Sequence, residues 1–413
     1  MNILLINHYA GSPAMGMEYR PYYMAREWTK AGHHVTIVAA NNAHVRTIQP
    51  RTKHKFQEEI IDGITYLWVK TPAYHGNGFK RILNMFCFYK KVKRAARKLA
   101  LKYNPDAVIA SSTYPMDNYA ACKIARIAKA KYFFEVHDLW PLSPMELGGY
   151  KASHPFIKYL QHAEDFAYKH VDGVISMLPK TLEYMQSRGL DPGKWHFVPN
   201  GINTAEWNQQ EPIPIDLKLL LQKIKSDFDF IVAYTGSIGI ANALDSFIAA
   251  AALMKDFKTA FIIVGKGPEK QQLINSSHKL NNVFFFESVK KSQIPDLLSY
   301  FDVLYIGLQR QSLFRFGVSP NKIFDYMMAG KPVLQAIEAG NDIVADAKCG
   351  ITVMPENPEA IASALREYLC MSIDDRNALG KSGQAYVLRN HDYKILAAKF
   401  IDILSANSKS DQA

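Results

Sequence analysis

Residues 316–333 read Phe-Gly-Val-Ser-Pro-Asn-Lys-Ile-Phe-Asp-Tyr-Met-Met-Ala-Gly-Lys-Pro-Val. This order predicts a short helix and then a buried strand, with Ser319 as the N-cap, Pro320 at the first helical position and Gly330 at the far end. Such a helix start directs free backbone N–H groups and Lys322 towards one point, which suits a phosphate or diphosphate. A capped structural helix with a surface lysine explains the isolated segment at least as well. The rest of the chain must therefore distinguish a phosphate site from a structural helix.

Apolar runs on either side of this segment predict two series of strands separated by amphipathic helices. The first series comprises Ile3–Ile6, Val35–Ala39, Ala107–Ala110, Tyr132–Val136, Gly173–Ser176 and His196–Val198. The second comprises Phe230–Tyr234, Thr259–Val264, Val283–Phe286, Val303–Ile306 and Pro332–Gln335. Regular β–α alternation indicates parallel sheets with helices on both faces.

We therefore predict an α/β protein with two Rossmann-like, doubly wound domains. The expected domains are residues 1–200 and 201–413, and the last helix, about residues 391–406, is a candidate to pack back on the first domain. Ligands of open α/β sheets bind beyond the carboxyl ends of the strands. We expect the two domains to face each other across a cleft that holds the site.

Composition agrees with a globular protein and places its positive charge unevenly. The 413 residues are too many for one core, and the net charge is +11. Residues 1–200 contain 27 Lys+Arg and 15 Asp+Glu, whereas residues 201–413 contain 22 and 23. The N-terminus reads as a first strand and not as a signal peptide, and no apolar run approaches the roughly 20 residues that span a bilayer. Four scattered cysteines argue against a disulfide framework and a zinc site.

Residues 79–102 carry much of the excess charge, with nine basic residues and no acidic one. Apolar residues recur at helical spacing among them, which is typical of an amphipathic helix at an anionic membrane surface. The basic residues expected to face the membrane are Lys80, Arg81, Lys90, Lys91, Arg94, Arg97 and Lys98. An ordinary packed helix with a solvated basic face remains open. No nucleic-acid-binding module is visible, so we expect no nucleic-acid partner.

The loop after the first strand contains His8, Gly11 and Gly16. It lacks the G-x-G-x-x-G pattern, and no acidic residue ends the second strand, which argues against a nicotinamide dinucleotide site. Gly16, near a helix start, leaves room for a phosphate. A plain structural turn explains Gly11 equally well.

The strand Tyr132–Val136 ends in His137-Asp138-Leu-Trp140. A histidine at the carboxyl end of a strand is well placed to hydrogen-bond a substrate hydroxyl, and Asp138 is a candidate to fix its tautomer. We expect Glu135 to face the opposite side of the strand.

A second glycine-rich segment follows the strand Phe230–Tyr234 and contains Gly236 and Ser237. Strand, glycines and then a helix near Asn242 form a layout that holds phosphate, although the lysine of a P-loop is missing. Lys266 follows the next strand and is a candidate for the same anion. Together these blocks favour a functional role for the helix start at Lys322.

Together the blocks resemble a GT-B glycosyltransferase of family 4, group 1, along essentially the whole chain. The resemblance rests on Val198-Pro-Asn-Gly-Ile202, Tyr234-Thr-Gly236, Val264-Gly-Lys-Gly-Pro268 and Phe324–Val333. A closer likeness to the fucosaminyltransferase-like subgroup of O-antigen and capsule biosynthesis rests on three further blocks: Asn7–Gly11, Glu135–Pro144 and Phe316–Lys322.

The resemblance implies retaining, metal-independent transfer from a nucleoside diphosphate sugar, with uridine as the default base and without a cofactor. An N-acetylated deoxy sugar on the donor and a polyprenyl-diphosphate-linked or oligosaccharide acceptor are implied in the same way. The enzyme would work in the cytoplasm, at the inner face of the cytoplasmic membrane. The expected catalytic residues are His137, Lys322 and Arg315. The expected donor-binding residues are Gly16, Gly236, Ser237, Lys266, Ser319, Asn321 and Asp325, and those on the acceptor side are His8, Asp138 and Trp140.

Two features depart from the family pattern. The first acid of the family's E-x7-E signature falls on Gly317, and Ser237 and Asn242 replace its Arg and Lys diphosphate clamp. Arg315 and Lys322 are the nearest replacements for those cations. A nucleotide-sugar epimerase of the same fold and a non-catalytic binding module remain as alternatives.

Overall fold

A computed structural model describes residues 1–16, 19–74, 76 and 78–406. The chain forms two compact units. The first comprises Met1–Asn200 together with the segment that starts at Tyr393, and the second comprises Gly201–Asp392.

The strands of the first unit are β1 (Asn2–Ile6), β2 (His34–Ala40), β3 (Phe56–Ile61), β4 (Ile64–Val69), β5 (Ala107–Ala110), β6 (Lys131–Val136), β7 (Gly173–Ser176) and β8 (Trp195–Phe197). Its helices are α1 (Tyr19–Lys30), α2 (Phe79–Arg94), α3 (Ala96–Tyr103), α4 (Asn118–Ala128), α5 (Leu142–Glu146), α6 (Pro155–His170) and α7 (Leu182–Ser187), and α17 (Tyr393–Ala406) joins them from the end of the chain.

The strands of the second unit are β9 (Phe230–Ser237), β10 (Thr259–Lys266), β11 (Val283–Phe286), β12 (Val303–Gly307), β13 (Val333–Ala336) and β14 (Gly350–Val353). Its helices are α8 (Thr204–Trp207), α9 (Ile215–Asp227), α10 (Leu244–Leu253), α11 (Lys270–Ser276), α12 (Ile294–Ser299), α13 (Asn321–Met328), α14 (Ile343–Asp346), α15 (Pro358–Cys370) and α16 (Ile373–Asn390).

Both sheets have the doubly wound order in which the chain reverses direction beside the first strand of the unit. The second sheet runs β11-β10-β9-β12-β13-β14, and all its pairs are parallel. The first runs β3-β4-β2-β1-β5-β6-β7-β8. In such sheets the switch points, between β1 and β5 and between β9 and β12, are where ligands bind.

One pair departs from the predicted parallel arrangement. Strands β3 and β4 form an antiparallel hairpin at the edge of the first sheet, joined by Asp62 and Gly63, both with positive φ. The sequence carries this signal, because Asp-Gly between apolar residues favours a two-residue hairpin turn. The apolar runs do not predict β3, β4 or β14.

The sheet of the second unit is buried on both faces, as the continuous apolar runs predicted. Along β9, Ile231 and Ala233 contribute to one apolar cluster, whereas Phe230 and Val232 contribute to the other. In the first unit, Trp28 of α1 packs in the core with residues of α17, and its Nε1 donates to the carbonyl of Ala397 at 3.1 Å.

The segment 316–333 forms the predicted helix and strand, but the prediction that Ser319 is the N-cap was wrong, because Pro320 takes that position. Helix α13 begins at Asn321 and not at Pro320, whose ψ of 126° is extended. Gly330 ends it with φ of 64°, a conformation that favours glycine. The basic segment 79–102, in contrast, is two helices, α2 and α3, which meet at Ala95. None of the helices within the described residues is long and apolar enough to cross a bilayer.

Candidate active site

The second unit contains a closed ring of hydrogen bonds at the carboxyl end of β9, which we call the lysine cluster: Lys322, Tyr234, Asn242 and the carbonyl of Ser237. Lys322 Nζ donates to the Tyr234 hydroxyl at 2.5 Å and to Asn242 Oδ1 at 3.2 Å. The Tyr234 hydroxyl and the Asn242 amide both donate to the Ser237 carbonyl, at 2.5 and 3.1 Å. Because an ammonium has three donors, one remains for a ligand among the residues that the structure covers.

Gly236 leaves open the space beside this ammonium. A Cβ atom on Gly236 would lie 3.2 Å from Lys322 Nζ, and its φ of 137° disfavours other residues. Burial lowers the pKa of Lys322 from 10.5 to about 7. An anion that binds beside Lys322 would therefore favour the protonated amine. The anion could also approach the backbone of Gly236, which no side chain among the described residues covers.

The other donor-site candidates differ in their exposure and in the contacts that they make. Lys266, at the end of β10, pairs in register with Ser237 and is exposed. Asn321 is the exposed first residue of α13, and Ser319 is half-buried in the segment before it. Arg315 contacts its own neighbours: its guanidinium donates to the Ser312 carbonyl at 2.7 Å and lies 4.4 Å from the Phe316 ring.

Asp325 already has a cationic partner. Both its carboxylate oxygens accept from Lys291 Nζ, at 2.5 and 2.6 Å. Lys291 is 62% exposed, and such exposed pairs contribute roughly 0–1 kcal/mol. A ribose with two hydroxyl donors can therefore displace or share this lysine at little cost.

In the first unit a second polar group, the histidine cluster, joins Arg20, Ser111, Glu135 and His137 at the carboxyl ends of β5 and β6. His137 Nε2 lies 2.9 Å from Ser111 Oγ and 3.3 Å from Glu135 Oε2. Glu135 is buried, and its Oε1 accepts from Arg20 Nε at 2.9 Å. The prediction that Glu135 faces away was wrong, because residues two apart in a strand share a face.

The structure assigns different roles to the acidic and histidine neighbours that we had singled out. Asp138 Oδ1 accepts from the Ser143 hydroxyl and the Leu139 N–H, at 2.6 and 2.9 Å, so Glu135 takes the place beside His137 that we expected for Asp138. His8 is fully buried, and its Nδ1 pairs with the Tyr114 hydroxyl. A side chain so enclosed cannot reach an acceptor directly.

Two further candidates lie in the loops of the first unit. Gly16 has φ of 78°, and a Cβ there would lie 2.9 Å from Thr47 Oγ1, so packing and backbone conformation already require glycine. Trp140 is half-buried and packs against the apolar cluster that contains Tyr9 and Tyr114.

The seven basic residues that were predicted to face the membrane divide into two groups. Lys80, Lys90, Arg94, Arg97 and Lys98 are exposed. Arg81 instead donates to the Tyr9 hydroxyl at 3.2 Å, and Lys91 donates to the Lys70 carbonyl at 2.6 Å. Within the ranges that the structure describes, no three His, Cys, Asp or Glu side chains are grouped so as to hold a metal ion.

Sequence reasoning missed Tyr234, Arg20 and Ser111. Tyr234 reads as a core residue of an apolar strand, and Arg20 is separated from Glu135 by more than a hundred residues. A usable signal existed only for Glu135, in its spacing of two from His137.

Relatives with known names resemble this chain over most of its length. A protein designated as the glycosyltransferase WbjE of Pseudomonas aeruginosa is 24% identical, with 78% of each chain covered. A protein designated as the colanic acid biosynthesis glycosyl transferase WcaI of Escherichia coli strain K12 is 23% identical, with 84% of this chain and 86% of the relative covered.

Solved structures share the fold over nearly the whole chain. Sucrose-phosphate synthase of Thermosynechococcus elongatus superposes with a TM-score of 0.73 at 16% identity, covering 98% of this chain and 99% of that one. Anabaena Alr3699/HepE, in complex with UDP and glucose, gives 0.65 at 16% identity, covering 98% and 100%. The predicted GT-B fold class, with two Rossmann-like domains, is confirmed.

Family models match the two units separately. The model described as Glycosyltransferase Family 4 matches residues 15–206, and the model described as Glycosyl transferases group 1 matches residues 229–370. The chain is a glycosyltransferase and belongs to this family 4, group 1 class.

Proposed function

We propose that this glycosyltransferase moves a sugar from a UDP-sugar to a glycan acceptor, with retention of anomeric configuration, in the biosynthesis of a surface polysaccharide. The observation that carries the proposal is Lys322, a half-buried ammonium beside the uncovered backbone of Gly236. HepE, which has the same fold, is described in complex with UDP and glucose. WcaI is named for colanic acid, which is a polysaccharide.

The chemistry follows from what the lysine cluster offers. The bond between the anomeric carbon and the diphosphate oxygen breaks, and its electron pair goes to that oxygen. Lys322 and the N–H groups at the start of α13 stabilise the negative charge that develops there. The acceptor oxygen bonds to the anomeric carbon on the same face, and its proton goes to the departing phosphate oxygen. The cluster supplies donors to the leaving group and no nucleophile.

The base and the reaction can be tested separately. A thermal-shift screen against UDP, GDP, ADP, dTDP and CMP without added metal should give a clear shift with UDP, since a ligand at 100 times its Kd stabilises by about 2.7 kcal/mol. An NMR assay of transfer from the matching UDP-sugar should give a product with the donor's anomeric configuration. A product of inverted configuration, or a shift with another nucleotide alone, would contradict the proposal.

We further propose that the first unit meets a polyprenyl-diphosphate-linked acceptor at an anionic lipid surface. Helices α2, α3 and α4 contain no Asp or Glu. Their exposed basic residues lie among exposed apolar ones: Phe79 is 76% exposed, Leu83 49% and Leu101 71%. On α4, which packs against α3, Lys123, Arg126 and Ile127 are also exposed. Basic residues near such a surface contribute roughly 1 kcal/mol each.

Sedimentation with phosphatidylglycerol vesicles tests this surface. The wild-type protein should bind at low salt, and 1 M salt should release it because the Debye length falls to about 3 Å. The triple variant Arg94→Glu, Arg97→Glu, Lys98→Glu should bind much less. A matched triple reversal on the exposed face of α9, Lys218→Glu, Lys223→Glu, Lys225→Glu, should bind as wild type. Equal binding to phosphatidylcholine vesicles would refute the electrostatic attachment.

A further inference from the structure

The histidine cluster holds the Nε2 side of the His137 ring with two polar groups. Ser111 Oγ and Glu135 Oε2 both face His137 Nε2, at 2.9 and 3.3 Å. Ser111 belongs to the segment after β5, and Glu135 belongs to β6 itself. The ring is therefore held from two neighbouring strands at the edge of the sheet where ligands bind.

The hydrogen bonds of Ser111 determine which ring nitrogen of His137 carries the hydrogen. A hydroxyl has one proton to donate, and that of Ser111 goes to Glu135 Oε2 at 2.6 Å. Ser111 Oγ also accepts from the Asn7 amide at 3.2 Å. The Ser111 proton is already donated to Glu135, and the Glu135 carboxylate can only accept. His137 must therefore be the donor to both oxygens, which means that its Nε2 carries a hydrogen. In the neutral ring the lone pair then lies on Nδ1.

Glu135 is itself immobilised as a carboxylate. Arg20 is 4% exposed; its Nε donates to Glu135 Oε1, and its two terminal nitrogens donate to the carbonyls of Val198 and Pro199. Burial alone would raise the pKa of Glu135, but the charge of Arg20 and the hydrogen bonds from His137 and Ser111 hold that pKa well below its usual range. Since Arg20 already balances the carboxylate, the pair can orient a neutral imidazole without requiring an imidazolium.

We propose that Glu135, held by Arg20 and Ser111, is a positioning residue that fixes the ring of His137 with its proton on Nε2. The proposal rests on the proposed function only in that His137 contacts the substrate during sugar transfer. Glu135 acts through His137 and does not itself reach the reacting atoms, because it is buried. A substrate group that hydrogen-bonds Nδ1 of the neutral ring is then a donor, such as a hydroxyl or an amide N–H, and not a phosphate oxygen.

Glu135→Gln is the informative substitution. The Glu135 carboxylate accepts a hydrogen bond in each of its contacts with Arg20, Ser111 and His137, so a glutamine NH2 would place a donor against either Arg20 or the Ser111–His137 side. We expect kcat/KM for transfer to fall roughly 10- to 100-fold, as when groups that orient histidine ligands are removed. The matched control is Glu164→Gln, since Glu164 of α6 is equally buried and accepts from Tyr168, Tyr184 and Gln161. It should leave transfer unchanged.

A double-mutant cycle separates positioning from general damage to the fold. If Glu135 acts through His137, the Glu135→Gln substitution should cost nothing further in a His137→Ala background. If the double variant instead loses kcat/KM by the product of the two single losses, the residues act independently and the proposal is overturned. If Glu135→Gln does not fold, Ser111→Ala takes its place in the cycle, since it keeps the Arg20–Glu135 pair.

A second readout needs no substrate. Long-range 1H–15N NMR of histidine side chains in the unliganded full-length protein, with His137 assigned by comparison with His137→Ala, reports its tautomer directly. We expect Nε2–H in the wild type and a mixture in Glu135→Gln. A wild-type Nδ1–H tautomer, or an unchanged tautomer in the variant, would overturn the positioning role. Absence of transfer with the expected donor would refute the proposed function and leave this result standing.

Discussion

Replacing Lys322 by methionine should make the second unit more stable and the enzyme much less active. Methionine keeps the length and apolar character of the stem but removes the ammonium. In the folded protein burial lowers the pKa of Lys322 from 10.5 to about 7. At 1.36 kcal/mol per pKa unit, the difference between these two pKa values means that burying the charged amine costs about 4–5 kcal/mol.

The sign follows from proton binding. Between pH 7 and 10.5 the unfolded state binds more protons at Lys322 than the folded state, so the free energy of unfolding rises with pH across that window. Below pH 7 the full cost is present. Lys322→Met removes it but also removes hydrogen bonds to Tyr234 and Asn242, each worth about 1 kcal/mol. We expect a net gain of about 2–3 kcal/mol at pH 7, or roughly 5–10 °C in Tm.

The assay combines calorimetry between pH 6 and 10 with transfer kinetics. The difference in free energy of unfolding between Lys322→Met and the wild type should be largest at pH 7 and below and should shrink as the pH rises towards 10, because Asp117, Glu164 and Lys331 titrate in the same way in both proteins. The kcat of the variant should fall about 10²- to 10³-fold, as when one preorganised donor to a developing anion is lost.

The control is Lys331→Met, which removes a second lysine whose pKa is lowered by burial and whose Nζ donates to the Ser299 carbonyl. It lies beyond the far end of α13, so it should leave UDP binding unchanged. A Lys322→Met enzyme with normal turnover would refute the role of the ammonium in catalysis. An unchanged pH dependence of stability in that variant would refute the cost assigned to burial.

Three further outcomes test the donor site. Gly236→Ala should weaken UDP binding in calorimetry, because its methyl group would lie 3.2 Å from Lys322 Nζ and would require a strained φ; normal affinity would show that the gap is unused. Asp325→Asn should raise KM for the UDP-sugar with little change in kcat, since ribose contacts are uniform between ground and transition states. Lys291→Met should leave KM unchanged or lower it, because it frees both Asp325 oxygens; a higher KM would mean that Lys291 itself binds the donor.

The parts of this fold that were predictable are those set by local chemistry. Apolar runs predicted eleven of the fourteen strands found among the described residues. Lys322 and Gly236 were identified because a helix start and a strand end have recognisable backbone requirements. The partners of those residues were not predictable. Tyr234 is an aromatic residue in an apolar strand, and only the approach of α13 gives its hydroxyl a lysine to accept from.

The histidine cluster shows the same limit over a longer range. Arg20 joins Glu135 because α1 packs against the sheet that contains β6, and the carbonyls that accept from the terminal nitrogens of Arg20 follow β8. No spacing in the sequence contains that information. The prediction of a single helix over residues 79–102 was wrong for a different reason. The helical spacing of apolar residues continues through Ala95, where the structure passes from α2 to α3. Side-chain periodicity does not report a break in the backbone.

The return of α17 to the first unit has a consequence for synthesis on the ribosome. Phe400 and Leu396 complete the core around Trp28, yet they are made only after the whole of Gly201–Asp392 has been translated. At about 5–20 residues per second, the nascent first unit waits roughly 10–40 s with this apolar surface uncovered. Deleting α17 would prolong that state indefinitely. We expect such a truncated chain to be retained by chaperones, although every residue of the lysine and histidine clusters is still present in it.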